Sequence, residues 1–294
     1  MAIKHIAPLG FPWPTQDPFL FCAHHRDAYP EGLDHLGPDP AHLRGRNMGQ
    51  DFQIKDGFRM YHGQSVPGFP PHPHRGFETV TIVREGYVDH ADSLGAVARF
   101  GEGDIQWLTT GKGIVHSEMF PLLHKEKGNP LELFQIWLNL EARNKMASPY
   151  FSMYWGESIK ASQKNGAQIK VYVGDLDGIP GVTPPPESYA AKSDSELAIY
   201  TVSLAAGSRF TLPAARAGTG RMLYFFSGDG LIADGREIPS YHYIALDEGE
   251  LELESQDGPC ELLYLAGRPI GEPVAQYGPF VMNTPQEIEQ TIQD

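Results

Sequence analysis

Short hydrophobic segments separated by glycine turns run through most of the chain. Between Asp51 and Met119 the clearest of them is Thr79–Val83, whose letters TVTIV are all β-branched, and it is followed by the turn at Glu85-Gly86. Val97–Phe100 and Ile105–Leu108 repeat the pattern. Segments this short, at this spacing, predict an all-β sandwich or barrel.

A longer apolar segment, LFQIWLNL at 133–140, predicts another strand. Side chains two residues apart share one face of a strand. Phe134, Ile136 and Leu138 should therefore point one way and Gln135 the other. Gln135 is then placed to enter a cavity or to face solvent.

A second β-rich block begins near Ala198 and ends near Ala266. It repeats the order of strand, glycine turn and strand seen in the first block, but it contains no His-x-His pair. We therefore predict two domains, 1–145 and 146–294. The chain ends with Thr284-Pro-Gln-Glu287, a capping box that predicts a short helix. Ile288 and Ile292 should lie on its docked face.

The first 50 residues are dense in proline, glycine and histidine. We predict one strand at Phe19–Cys22 and then a long loop from residue 24 to residue 49. Four histidines fall in this loop and match no compact set of metal ligands, so we expect them at the surface: His24, His25, His35 and His42.

Composition excludes several classes of protein. The formal net charge of −14 argues against direct nucleic-acid binding, which depends on Lys and Arg at phosphates. The two cysteines, Cys22 and Cys260, are too few for a disulfide framework, and we expect both to be buried. No apolar run is long enough for a signal peptide or a membrane span, so we expect a cytoplasmic protein with no membrane partner.

Two pairs of polar residues, His72 with His74 and His116 with Glu118, carry the candidate chemistry. The two residues of each pair are two positions apart, so their side chains share one face of a strand. If the two strands lie close together, all four side chains can point to one place. Three imidazoles and one carboxylate favour Fe(II), Mn, Ni, Cu or Zn over Ca. Glu78 follows His74 by four residues, and strict alternation places it on the same face, so periodicity leaves it as an alternative ligand.

Other side chains near these pairs have ordinary structural explanations. We expect that His62 and His90 are not ligands and that Arg75 forms a salt bridge, although it could also hold an anionic substrate. The lone His242 of the second block should be structural. Aromatic and sulfur side chains around the site could line a pocket, but we favour core packing for Phe69, Phe77, Trp107 and Met119.

Three segments together closely resemble the pirin family, a branch of the cupin superfamily: HPHRGFETVT (72–81), GDIQWLTTGKGIVHSEM (103–119) and EPVAQYGPFVMNT (272–284). The resemblance implies two cupin β-sandwich domains in tandem, with metal only in the N-terminal one. It implies His72, His74, His116 and Glu118 as the ligands, which favours Glu118 over Glu78. The family metal is usually iron.

Some pirins cleave the flavonol quercetin with O₂, which would make this chain an iron-dependent quercetin 2,3-dioxygenase with Glu118 as the proton acceptor. Other pirins are regulatory partners of transcription factors or metabolic enzymes, and a metal-dependent regulator with a protein partner is the alternative. A cupin with a vestigial ion is a third possibility. Segment 17–47 departs from the usual family pattern, so the resemblance does not specify the cavity entrance or the substrate.

Overall fold

The computed structural model describes residues 2–294, and nearly all of their regular secondary structure is β-strand. The strands of its first half are, in chain order, β1 (Ile3–Pro8), β2 (Phe19–Tyr29), β3 (Gly68–His74), β4 (Phe77–Glu85), β5 (Tyr87–Asp92), β6 (Val97–Gly101), β7 (Ile105–Thr109), β8 (Ile114–Met119), β9 (Asn129–Asn139), β10 (Tyr150–Tyr154), β11 (Ala161–Lys164) and β12 (Ala167–Val173).

The second half continues in the same way, and its twelve strands precede one short α-helix. They are β13 (Asp175–Leu176), β14 (Ile179–Pro180), β15 (Ala198–Leu204), β16 (Arg209–Leu212), β17 (Gly220–Gly228), β18 (Leu231–Ala233), β19 (Arg236–Ile238), β20 (His242–Leu246), β21 (Leu251–Ser255), β22 (Cys260–Gly267), β23 (Ala275–Tyr277), β24 (Phe280–Met282) and the helix α1 (Pro285–Gln293). Single-turn 3₁₀ helices lie at Pro40–Leu43, Ala142–Asn144, Gly156–Ser158 and Tyr189–Ala191.

The chain divides into two compact units. The N-terminal unit comprises Ala23–Glu157 with Glu272–Asp294, and the C-terminal unit comprises Ser158–Gly271 with the segment that ends at Cys22. Each terminal segment thus belongs to the unit built from the opposite half of the chain, because β1 pairs with β20 and Phe280 of β24 forms a bridge with Arg75. The predicted boundary after residue 145 differs from this division, because it leaves each terminal segment in the unit of its own half of the chain.

The N-terminal unit has a five-stranded sheet, in the order β10-β7-β4-β9-β2, and a four-stranded sheet, in the order β3-β8-β5-β6. The β-branched run of β4 is buried at every position from Phe77 to Val83, as a central strand covered on both faces requires. In β8 only alternate residues are fully buried, namely Ile114, His116 and Glu118. That alternation places His116 and Glu118 together on the inward face.

The C-terminal unit has the same two-sheet design, with a seven-stranded sheet and a four-stranded sheet. The strand orders are β1-β20-β17-β22-β15-β12-β11 and β16-β21-β18-β19. One cluster of its buried apolar side chains includes Val202, Leu223, Leu253 and Leu262. The predicted all-β fold with two sandwich domains and a short C-terminal helix is confirmed.

The predicted loop after Cys22 is wrong at its beginning. Strand β2 continues through Tyr29 and forms the edge of the five-stranded sheet next to β9. His24 and His25 are therefore buried rather than exposed. His35 and His42 are exposed, as predicted. The strand was missed because its polar residues are typical of a loop. In the structure, its imidazoles and its carboxylate form hydrogen bonds to residues from distant segments of the chain, which allows them to be buried.

Helix α1 begins with the predicted capping box. The Thr284 hydroxyl accepts a hydrogen bond from the Glu287 backbone N–H, and the Glu287 carboxylate accepts one from the Thr284 N–H. Ile288 and Thr291 are buried, whereas Ile292 is 58% exposed, so the prediction for Ile292 is wrong.

Both cysteines are buried and unpaired, as predicted. Within residues 2–294 no helix is both long and apolar enough to cross a membrane.

Candidate metal centre

The candidate centre lies on two neighbouring strands, β3 and β8, of the small sheet in the N-terminal unit. The strands pair antiparallel with His72 directly opposite His116. His74 and Glu118 each lie two positions further along, so all four side chains belong to one strand pair. The predicted pairing of a His-x-His strand with a His-x-Glu strand is what brings these residues together.

Three imidazoles converge at one point. The Nε2 atoms of His72 and His116 are 3.0 Å apart, and one ring nitrogen from each of His72, His74 and His116 lies within 4.8 Å of the others. Among residues 2–294 this is the one cluster of histidine, cysteine or acidic side chains that meets this distance. Glu118 adjoins it, with Oε2 3.9 Å from His116 Nε2.

Backbone carbonyls fix two of the rings. His72 Nδ1 is 2.8 Å from the Pro70 carbonyl oxygen, and His74 Nδ1 is 3.4 Å from that of Pro279. A carbonyl only accepts, so each Nδ1 carries the hydrogen and each Nε2 presents a lone pair. An Nδ1–H donated to a carbonyl is the usual support of a histidine that binds metal through Nε2.

Burial keeps the imidazoles neutral. It lowers the pKa of His72, lowers that of His74 to about 3 and lowers that of His116 well below the ordinary histidine value, with His74 and His72 adding to the effect on His116. Neutral imidazole is the form that binds metal. At neutral pH the cluster therefore offers lone pairs rather than positive charges.

Glu118 is buried in a polar niche of neutral side chains. Gln135 Nε2 donates to its Oε2 at 3.3 Å, and the Thr81 hydroxyl lies 3.2 Å from its Oε1. Burial raises the pKa of Glu118 to about 7, while these two contacts act in the opposite direction. Glu118 can thus take up or release a proton near neutral pH.

The alternative ligand Glu78 lies on the other sheet. The chain leaves β3 after His74, turns at Arg75-Gly76 and enters β4, so alternation does not continue from His74 to Glu78. Glu78 is fully buried, and its Oε1 accepts a hydrogen bond from the Thr109 hydroxyl of β7 at 2.7 Å. It is not part of the histidine cluster.

His90 and His62 are held by other partners. His90 lies against His116, with ring centroids 5.4 Å apart, but its Nδ1 faces Gln106 Nε2 at 3.1 Å and its Nε2 faces Asp92 Oδ2 at 2.8 Å. His62 Nδ1 is 2.7 Å from the Gly49 carbonyl oxygen. Neither belongs to the cluster, in line with the expectation from sequence.

Aromatic side chains surround the imidazoles. Phe77 and Trp137 both contact the His74 ring, with centroids 5.1 and 5.5 Å away, and Phe69 lies 6.3 Å from that of His72. Phe77 and Trp107 are completely buried core residues. Arg75 forms the expected salt bridge, with Nη1 2.6 Å from Asp294 Oδ2.

Two features of the centre did not emerge from the sequence. Thr81, one of the threonines of β4, lies between Glu118 and Gln135, with its hydroxyl 2.6 Å from Gln135 Oε1. Its only signal was its place, two residues from Thr79 and so on the same face of β4. The contact between His74 and Pro279 joins residues 205 positions apart, and local sequence gives no sign of it.

The donor set fits a divalent transition metal. Two unprotonated imidazole nitrogens at 3.0 Å repel each other unless a proton or a cation lies between them. Nitrogen donors with one carboxylate suit Fe, Mn, Ni, Cu or Zn, whereas calcium takes six to eight oxygen ligands.

Comparisons with known proteins agree over most of the chain. The Pirin family matches residues 34–138, and the Pirin C-terminal cupin domain matches residues 199–294. A pirin-like protein of Arabidopsis thaliana is 35% identical over 264 residues, which cover 85% of this chain and 81% of the relative. A Pseudomonas aeruginosa protein with the provisional name quercetin 2,3-dioxygenase is 37% identical over 236 residues, 79% of this chain and 78% of that protein.

A solved structure extends the likeness to the whole chain. The crystal structure of quercetin 2,3-dioxygenase from Acinetobacter baumannii superimposes with a TM-score of 0.74 at 25% identity, covering 100% of this chain and 93% of that one.

Proposed function

The chain belongs to the pirin family of cupin proteins, and from this premise we propose that it is a metal-dependent dioxygenase that opens a flavonol ring with O₂. The proposed ligands are His72, His74, His116 and Glu118, and the proposed ion is Fe(II). The observation that carries the proposal is the convergence of three neutral imidazoles beside a buried carboxylate.

Iron is proposed on the family resemblance and on the donor set. Affinity alone favours Cu and Zn over Fe(II) at a site of nitrogen and oxygen donors. A preparation from cells could therefore carry another metal, and activity should be assayed after defined reloading. When bound, the ion would act as a Lewis acid that lowers the pKa of a coordinated flavonol hydroxyl.

Glu118 is the proposed proton acceptor. Its carboxylate is buried beside the imidazole cluster, with Oε2 3.9 Å from His116 Nε2, so it would lie within reach of a substrate hydroxyl held at this centre. Gln135 donates to one of its oxygens and the Thr81 hydroxyl lies beside the other, and neither side chain carries a charge. Ring opening then consumes one O₂ and releases carbon monoxide.

The chain's other contribution is orientation and the exclusion of water. Phe69 and Trp137 lie next to the imidazoles and are only partly buried, and their rings suit a planar, hydroxylated aromatic substrate. Similar relatives named for quercetin dioxygenation support the same substrate class.

A direct test is to load the metal-free chain anaerobically with Fe(II), add quercetin and air, and follow the visible absorbance and the uptake of O₂. We expect turnover in the wild type and none in His116→Ala. His35→Ala is the matched control, because His35 is an exposed histidine of the same unit and should not affect turnover.

Iron bound stoichiometrically without turnover of several flavonols would contradict the enzymatic proposal and favour the alternative, an iron-dependent regulatory protein. Failure of the wild type to bind any divalent transition metal would contradict both.

A further inference from the structure

The proposed ligands are unequally exposed. His74, His116 and Glu118 are buried, whereas His72 is only partly buried. His72 also lies on β3, which is an edge strand of its sheet. A small molecule from solvent therefore reaches the imidazole cluster most directly past His72.

A β-bulge brings Phe69 to this open side. The register of β3 against β8 shifts between Phe69 and His72, so that Phe69 lies opposite Glu118 and His72 lies opposite His116. Residues opposite each other on paired strands share a face of the sheet. Phe69 therefore lies on the face of the ligands, although strict alternation would place residues three positions apart on opposite faces. Bulges that redirect a side chain are common beside active sites.

His62 lies on the other side of Phe69. The ring centroids of His62 and Phe69 are 5.8 Å apart, and those of Phe69 and His72 are 6.3 Å apart. His62 is also near enough to His72 to lower the pKa of that imidazole further. A flavonol has three linked rings, so one that lies across Phe69 can contact both imidazoles.

The His62 side chain presents a hydrogen-bond acceptor. Its Nδ1 is 2.7 Å from the Gly49 carbonyl oxygen, which can only accept, so in the neutral imidazole Nδ1 carries the hydrogen and Nε2 the lone pair. Within residues 2–294 no group donates to this Nε2, and the side chain is partly exposed. Phe52 packs edge-on against the imidazole, with centroids 4.9 Å apart, and holds the ring in place together with Phe69.

The backbone just before His62 is held in an unusual conformation. Tyr61 is completely buried and has φ of +58°, in the left-handed region that bulky side chains seldom adopt. Its hydroxyl donates to Asp27 Oδ2 at 2.7 Å and lies 2.7 Å from His25 Nδ1. Such strain persists only where the surrounding structure enforces it, and it is concentrated at binding and catalytic sites.

We propose that His62 determines substrate specificity: its Nε2 accepts a hydrogen bond from a flavonol hydroxyl other than the one at the metal, while the flavonol lies across Phe69. This inference rests on the proposed function and adds a recognition residue outside the ligand set. His62 would distinguish polyhydroxylated flavonols from a flavonol that has only the metal-binding hydroxyl.

Quercetin and 3-hydroxyflavone are suitable probes, because 3-hydroxyflavone has only the hydroxyl that would bind the metal. Their dissociation constants from the zinc-loaded full chain are measured without O₂, from the change in flavonol absorbance. Zinc is redox-inactive, so binding is measured whether or not the chain turns over flavonols. His62→Phe keeps an aromatic ring and removes the acceptor. It should weaken quercetin binding about three- to tenfold, as loss of one hydrogen bond does, and 3-hydroxyflavone binding less than about twofold.

Two further variants serve as controls. His62→Gln should retain most of the preference for quercetin, because a glutamine side-chain carbonyl can accept the same hydrogen bond. His35→Phe removes an exposed histidine of the same unit and should change neither dissociation constant. All three variants should bind as much zinc as the wild type.

The proposal is overturned if His62→Phe binds quercetin as tightly as the wild type or weakens both flavonols equally. Loss of zinc from His62→Phe would also overturn it, because His62 would then support the metal centre itself. Turnover by the iron-loaded wild type tests the dioxygenase separately. A wild type without turnover that still loses its preference in His62→Phe would contradict the dioxygenase and retain His62 as the recognition residue.

Discussion

Gly76 offers a sharp test of how the metal centre is positioned. It lies at the turn between β3 and β4, two residues after His74, with φ of +87°. A Cβ at this position would lie 1.9 Å from the Val281 carbonyl oxygen and 2.9 Å from Met282 Sδ. Gly76→Ala must therefore move either this turn or the strand β24.

The matched control is Gly95→Ala. Gly95 has nearly the same φ, +90°, but nothing lies within 4 Å of the position of its Cβ. Alanine at positive φ costs about 1 kcal/mol, and both variants incur this strain. Only Gly76→Ala adds a clash with backbone, which cannot relax as a flexible side chain can. We expect a total loss of roughly 3 kcal/mol or more for Gly76→Ala and about 1 kcal/mol for Gly95→Ala.

Chemical denaturation of the metal-free variants measures both losses, and elemental analysis after reloading measures bound iron. Gly76→Ala should also bind less iron, because displacement of the turn moves His74 away from the Pro279 carbonyl that holds its ring. Equal stability losses in the two variants, or full iron binding by Gly76→Ala, would refute the reasoning.

Three further predictions concern single side chains. Glu118→Gln should strongly reduce bound iron while Glu78→Gln retains it, and elemental analysis showing the reverse would make Glu78 the ligand. Lys145 is buried, which lowers its pKa from 10.5 to about 8, although Asn139 Oδ1 accepts from its Nζ at 2.7 Å. Between these pH values Lys145 is protonated in the unfolded chain and neutral in the folded chain. Raising the pH from 8 to 10.5 therefore favours the folded state, and the free energy of unfolding of the wild type, relative to that of Lys145→Met, should rise by at most ~3 kcal/mol. Denaturation at both ends of that range measures the rise, and a constant difference would contradict it. Thr284→Ala should lower the free energy of unfolding by about 1 kcal/mol, and Thr284→Ser should lower it much less, since a serine hydroxyl can still cap α1. Equal losses in the two variants on denaturation would exclude the cap as the cause.

Local sequence pattern was enough to predict several strands and the C-terminal helix. β4 follows from its β-branched run, β7 and β9 follow from short apolar segments, and α1 follows from its capping box. Local pattern also placed each pair on one strand, whereas the convergence of His72, His74 and His116 required in addition that the two strands be neighbours.

Features that depend on distant segments could not be predicted. The second half of β2 reads as polar, yet Asp27 accepts hydrogen bonds from Arg59 and from the Tyr61 hydroxyl, more than 30 positions away. Periodicity also failed between His74 and Glu78, because the turn at Gly76 carries the chain from one sheet to the other. A count of alternating positions has meaning only within one strand.

A comparison of the two units separates what the fold requires from what the proposed metal site requires. The pair β16–β21 holds the place in its four-stranded sheet that β3–β8 holds in the other unit. Where His72 faces His116, Phe210 faces Leu253, and both of these side chains belong to the apolar core. The same sheet order is therefore stable with ordinary apolar packing at this pair. Buried imidazoles with converging lone pairs stabilise the fold less than such packing, because their nitrogens lose hydration. The fold therefore does not require them, which supports the proposed metal site.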